Sequence, residues 1–225
     1  FEEYAQANPY YEKYGADGKI NKYLYYPSSG IDDFPVANPL WNAHLNNYDK
    51  GEEFGFTNNF IIEWFATHDF RVRAKFGMTK NDITQDTRLS PQHSQFDDVG
   101  ENEKGLFTHS LTKSMVYEGD FAATFGKLFA DKHMVNAVAG FNFSSNKNTM
   151  NGYSANGFTE DLFAAPSFAN GYPDGGKPKY RENQKRAASF YINGGYAYDN
   201  RYLLDFNYRN DGASMFGTDN RFRNT

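Results

Sequence analysis

The chain has 225 residues, no cysteine and a net charge of −5. These values exclude a disulfide framework, thiolate zinc sites and the basic footprint of a nucleic-acid binder. Mean hydropathy is −0.78 and no apolar run approaches the ~18 residues of a membrane helix, so a helical membrane protein is excluded too. Phe and Tyr are abundant, at 22 and 17, which favours β structure. A membrane barrel can share this low hydropathy, because its strands alternate apolar and polar residues. The chain opens at Phe1 without an initiator Met or leader, so it is expected to be processed or an internal piece of something longer.

Residues 1–53 hold no sustained alternation and are expected to be a long connection. The first period-two signal is FGFTNNFIIEWFA, 54–66. Phe54, Phe56, Phe60, Ile62 and Trp64 share one side; Glu53, Thr57, Asn59 and Glu63 share the other. After Thr67, His68 and Asp69 the alternation resumes in FRVRAKFGM, with Phe70, Val72, Ala74, Phe76 and Met78 opposing Arg71, Arg73, Lys75 and Gly77. Two such runs around a short break predict a hairpin over 54–78. A second hairpin is predicted over 113–143. There Tyr117, Phe121 and Phe125 oppose Glu118 and Asp120, and Phe141 and Phe143 oppose Asn136 and Asn142, with a turn at 127–132. A third is predicted over 187–211, turning at Asp199 and Asn200. Tyr202, Leu204, Phe206 and Tyr208 share one side there; Leu203, Asp205, Asn207 and Arg209 share the other.

The reading gives six strands of roughly nine to thirteen residues, close to the ~9–11 tilted residues that cross a bilayer. Soluble strands average ~5–6 residues. Connections within a pair are short. Connections between pairs, 79–112 and 144–186, are long and rich in Asn, Gly, Asp, Tyr and Pro. Short turns alternating with long loops describe an outer-membrane barrel. Trp64, Phe65, Phe125, Phe129, Tyr196, Tyr198 and Tyr202 gather beside the short turns, as an interfacial aromatic girdle would. On the polar side, Arg71, Arg73 and Lys75 share a face with Glu118, Asp120, Asp205 and Arg209. A dry core would make these charges costly, whereas a wet or plugged lumen would not. The predicted fold class is therefore all-β: an antiparallel transmembrane β-barrel segment in three hairpins.

Little else in the sequence carries chemistry. His44, His68, His93, His109 and His133 are scattered, with no HExxH, and no acidic loop has EF-hand spacing. No GxSxG or Walker lysine occurs, so Gly212 and Gly217 read as turn residues and "DGASMFG" is not a phosphate loop. Asn142-Phe143-Ser144 is a formal sequon inside a strand. Neither an enzyme nor a cofactor or metal site is expected.

The stretch RYLLDFNYRNDGASMFGTDNRF, 201–222, resembles a signature of the SusC/RagA family of TonB-dependent outer-membrane transporters of Bacteroidota. YAQANPYYEKYGADGKI (4–20), NPLWNA (38–43), FTNNFIIEW (56–64), KHMVNAVAG (132–140) and SFYINGGYAYDNRYLLD (189–205) resemble the same family, in its order. The resemblance implies a 22-stranded barrel around a plug, a SusD-like surface lipoprotein lid, energy from TonB, and oligosaccharide or oligopeptide cargo. The sequence shows no TonB box, no plug domain, no carboxypeptidase-like extension, and no final strand ending in an aromatic at RFRNT. An internal barrel segment is expected, with 1–53 an extracellular loop and both ends in such loops. Its partners would be the rest of the barrel and plug, outer-membrane lipid, the lipoprotein, TonB through the missing part, and cargo. Alone it would aggregate in water.

Cargo sites favour aromatic platforms and clustered polar groups. Trp41 and Tyr153 in the long loops are candidates, as are Arg71, Arg73, Glu118, Asp120, Asp205 and Arg209 on the wall. The alternative from another class is a soluble carbohydrate-binding β-sandwich module.

Overall fold

The computed structural model describes residues 10–25 and 35–215, and the backbone of 222–224. The parts of the quoted motifs at 1–9, 26–34 and 216–221, including the turn expected at Gly217, lie outside the described residues. Among the described residues no helix is long and apolar enough to cross a membrane.

Strand β1 (Tyr23–Tyr25) pairs antiparallel with β2 (Val36–Ala37). Helix α1 (Pro39–His44) follows; Asn38 caps it by accepting from the Leu40 amide at 3.1 Å, and proline fills its first turn. Then come β3 (Tyr48–Phe65), β4 (Phe70–Leu89), β5 (Leu106–Phe129), β6 (His133–Asn156), β7 (Lys179–Tyr198) and β8 (Tyr202–Ala213). They form one antiparallel sheet in chain order, and β9 (Phe222–Asn224) pairs with the end of β8. The three hairpins stand where the alternation places them. The turns of β5–β6 and β7–β8 are three residues each, 130–132 and 199–201, and the first two of each, Ala130-Asp131 and Asp199-Asn200, stand at positive φ. That is the geometry whose twist matches the flanking strands. The expected 127–132 turn is tighter, because β5 runs on to Phe129.

The strands are longer than the alternation predicts. β5 and β6 have 24 residues each, or about 80 Å at ~3.4 Å per residue. Much of the ground read as loop, including 79–89, 106–112, 144–156 and 179–186, is strand. β3 also begins within the 1–53 stretch read as loop, and within RFRNT the residues 222–224 pair as a short strand that ends at Asn224, not at an aromatic. The extensions are polar on both sides, as in KNDITQDTRL (80–89), so the apolar alternation that marks a half-buried strand is missing there.

The chain divides into two compact units. The first holds Phe1–Glu52, Thr84–Leu111 and Asn151–Tyr180; the second holds Glu53–Ile83, Thr112–Met150 and Arg181–Thr225. The boundary falls inside each of β3 to β7. The first unit has an interior: Leu24, Phe107, Ala155 and Phe158 are buried, with Asn38, Asn42, Arg88 and Ser90. Each buried polar side chain is used. The Arg88 guanidinium donates to the Asn46 carbonyl at 2.7 Å and the Asp161 carbonyl at 2.9 Å, and its centre lies 5.8 Å from the Phe158 ring. Asn42 and Ser94 exchange side-chain and backbone hydrogen bonds at 2.9 and 3.1 Å.

The second unit is a single layer, and Ala197 is its one buried hydrophobic residue among those described. One face carries Phe54, Phe56, Phe60, Ile62 and Trp64 of β3, then the matching apolar residues of every strand through β8. These stay open: Trp64 is 62% exposed, Phe60 59%, Leu204 69% and Phe206 60%. Among the described residues no second large sheet covers them. A soluble sandwich buries such a face against its partner sheet, so the sandwich alternative is overturned.

Candidate functional site

The other face of the second unit is charged. Cross-strand contacts fix which residues share it. Asn81 donates to Glu53 at 2.9 Å, the Thr57 and Thr79 hydroxyls lie 3.2 Å apart, and Arg73 lies 3.5 Å from Glu63. A side chain at Gly77 would meet both Asn59 of β3 and Glu118 of β5, and one at Gly195 would meet Asn136 of β6. The β7–β8 register sets Tyr191 opposite Arg209, Asn193 opposite Asn207 and Gly195 opposite Asp205. Arg71, Arg73, Glu118, Asp120, Asp205 and Arg209 therefore share one face, as the alternation indicated.

Within this face a depression is lined by Lys75, Glu118, Asp120, Asn142 and Ser144. Beside it Tyr191 lies across Gly140, where any side chain would strike its ring. Tyr191 is within electrostatic reach of both Asp120 and Arg209. Arg209 donates from Nε to both Asp211 oxygens at 2.8 Å, and its Nη2 reaches Ser189 Oγ at 3.4 Å. The face thus offers carboxylates, cations and amides side by side, together with one aromatic hydroxyl. It can hold a polar, charged solute. Among the described residues no three metal-ligating side chains gather. Sequence reading missed Tyr191. The available signal was Gly140, a glycine inside an aromatic-rich strand, which marks a close approach.

Trp41 and Tyr153 belong to the first unit. Trp41, in α1, is half-buried and donates its indole N–H to the Gln92 carbonyl at 3.1 Å. Tyr153 is on β6, not in a loop, and packs against Phe107 and His109 with ring centroids 6.1 and 5.5 Å away. His109 in turn meets Asp86 at 2.6 Å. Both aromatics are engaged in packing within their unit. The same unit ties residues 22–23 to the 90–105 connection, where Lys22 and Tyr23 both hydrogen-bond the Asp97 carboxylate. Partial burial pushes the Asp97 carboxyl up, but those hydrogen bonds and the charges of Lys22 and Lys104 outweigh it and hold it below the usual range. At the β3–β4 turn, Lys127 bonds Asp69 at 2.7 Å and lowers that carboxyl likewise.

No protein-family model matches the chain. A curated relative, the TonB-dependent receptor P26 of Formosa agariphila, is 24% identical over 212 residues, covering 93% of this chain and 20% of its own. Among solved structures, the RagAB peptide transporter superposes with a TM-score of 0.74 at 19% identity, over 92% of this chain and 22% of its own. The RagAB peptide importer in its closed-closed state gives 0.75, over 96% and 23%. The chain spans about a fifth of the length of these relatives. Its fold, one antiparallel sheet of long strands, is that of a stretch of the RagAB transporter structures. The names of these relatives are those of a receptor and of transporters.

Proposed function

We propose that this chain is a wall segment of an outer-membrane, TonB-dependent importer that takes up oligopeptides beneath a SusD-like lipoprotein lid. The observation that carries the reading is the two-faced single layer: an exposed apolar face suited to lipid and a charged face suited to a wet lumen. The peptide transporter that shares its fold supports the reading. The charged face supports peptide over neutral oligosaccharide, because Arg71, Arg73 and Lys75 stand with Glu118, Asp120 and Asp205. Both signs of charge are there to meet a chain with an ammonium at one end and a carboxylate at the other. Trp41 then anchors its helix to the Gln92 carbonyl and Tyr153 packs β6 on β5, rather than stacking on cargo. In this reading the chain does no covalent chemistry. It contributes wall, lumen lining and docking surface, while TonB acts on a plug supplied by the rest of the protein.

The test is mass spectrometry of ligands that co-purify with the full-length protein and its lipoprotein partner. Bound peptides are expected, with their yield falling when Glu118 and Asp120 are changed together to glutamine and asparagine. Recovery of oligosaccharide alone would reassign the cargo.

A further inference from the structure

The boundary of the apolar face is cationic on four of its six long strands. Moving along that face away from the short turns, the first charged residue past the apolar stretch is Lys80 on β4, Lys113 on β5, Lys147 on β6 and Arg186 on β7. On β3 it is Glu52, and β8 carries no charge on this face. Two of the cations are paired, Lys80 with Asp82 and Lys147 with Glu182, each at 2.9 Å. The Lys80 ammonium also lies over the Phe54 ring, 5.7 Å from its centroid. Lys113 and Arg186 meet no carboxylate within ion-pair distance among the described residues. At the opposite rim, by contrast, Lys127 pairs with Asp69 and Arg201 with Asp199. One rim is balanced and the other carries surplus positive charge.

Beside Arg186 the face has a depression lined by Phe143, Ser145, Ala188, Gly212 and Ser214. Small side chains leave room for an acyl chain next to the apolar band, and the Ser145 and Ser214 hydroxyls line it together with Arg186, whose guanidinium also donates to Gln184 Oε1 at 3.0 Å. Surplus cations at the edge of an apolar surface complement lipid headgroups that carry phosphate. We infer that this rim binds the phosphate of a phosphorylated lipid in the leaflet away from the short turns, with Arg186 and Lys113 as its principal contacts. The inference rests on the membrane reading proposed above.

The full-length protein is reconstituted in phosphatidylcholine bilayers containing trace spin-labelled phosphatidylglycerol or spin-labelled phosphatidylcholine. The fraction of each label immobilised at the protein surface gives their relative affinity. Preference for the phosphatidylglycerol label is expected. Lys113→Gln and Arg186→Gln should each lower it by about fivefold, the loss of one surface cation. Lys132→Gln, beside the β5–β6 turn, should leave it unchanged. Equal affinity for the two labels in the unaltered protein would overturn the inference while leaving the membrane reading intact, as would equal losses in all three variants. If neither label is immobilised, the membrane reading fails and the inference with it.

Discussion

The two units solve opposite problems with the same strands. The first, around Arg88 and Phe158, has a small interior whose buried polar side chains bond mostly to backbone groups. The second has almost no interior and leaves Trp64, Leu204 and Phe206 open. Apolar area of that size is stabilised only by something that covers it. Stability in the first unit therefore comes from contacts within the chain, whereas stability in the second depends on the solvent around it.

Substitutions can break that contrast from either side. The largest effect is expected at Arg88, whose side chain is fully buried. Arg88→Ala strips the Asn46 and Asp161 carbonyls of their donor and leaves the Asp161 carboxylate without its cation, at a cost of about 3–5 kcal/mol. Protease cleavage within 157–178 of the full-length protein should accelerate, with the hairpins of the second unit still intact. Next comes Phe206→Arg, expected to cost about 2–4 kcal/mol near the bilayer midplane. Urea unfolding from lipid vesicles measures it, and a silent substitution would mean that no hydrocarbon touches that face. Gly140→Val follows. Its side chain would displace the Tyr191 ring at a cost of about 1–3 kcal/mol, and peptide binding should weaken if that ring helps to hold Asp120 and Arg209 in place.

The smallest effect is at Asp97. Its carboxyl is lowered in the folded chain, so its stabilisation is present above the ordinary carboxylate value and is lost as pH falls through the folded one. For a pair this exposed the contribution is under about 1 kcal/mol. Hydrogen exchange of residues 22–25 should rise on acidification, and Lys22→Ala should blunt that response.

How much could be read beforehand follows from the same contrast. Alternation revealed the second unit well, because one face of each strand carries apolar side chains and the other polar ones. Tyr202, Leu204, Phe206 and Tyr208 against Asp205, Asn207 and Arg209 is that pattern, and the pairing of β7 with β8 keeps it in register. Where the strands continue into the first unit, both sides are polar. The residues at 80–89 and 144–156 then look like loop, although their backbone remains paired. The Arg88 network was invisible for another reason: a buried arginine is specified by carbonyls at Asn46 and Asp161, far apart in sequence. Tyr153 reads as a loop residue because its strand lacks alternation, and Trp41 reads as a cargo-lining aromatic because its partner, the Gln92 carbonyl, is a backbone group distant in sequence.

The central claim, that the two faces of the second unit meet different media, can be measured along one strand. The chain has no cysteine, so single cysteines can be introduced at each position from Tyr202 to Arg209 of the full-length protein and spin-labelled in lipid vesicles. Collision with oxygen, which concentrates in hydrocarbon, is compared with collision with a water-soluble nickel chelate. The account predicts a period of two, with oxygen contact dominant at Tyr202, Leu204, Phe206 and Tyr208, and chelate contact dominant at Leu203, Asp205, Asn207 and Arg209. Chelate contact dominant at every position, or equal contact on both faces, would contradict it.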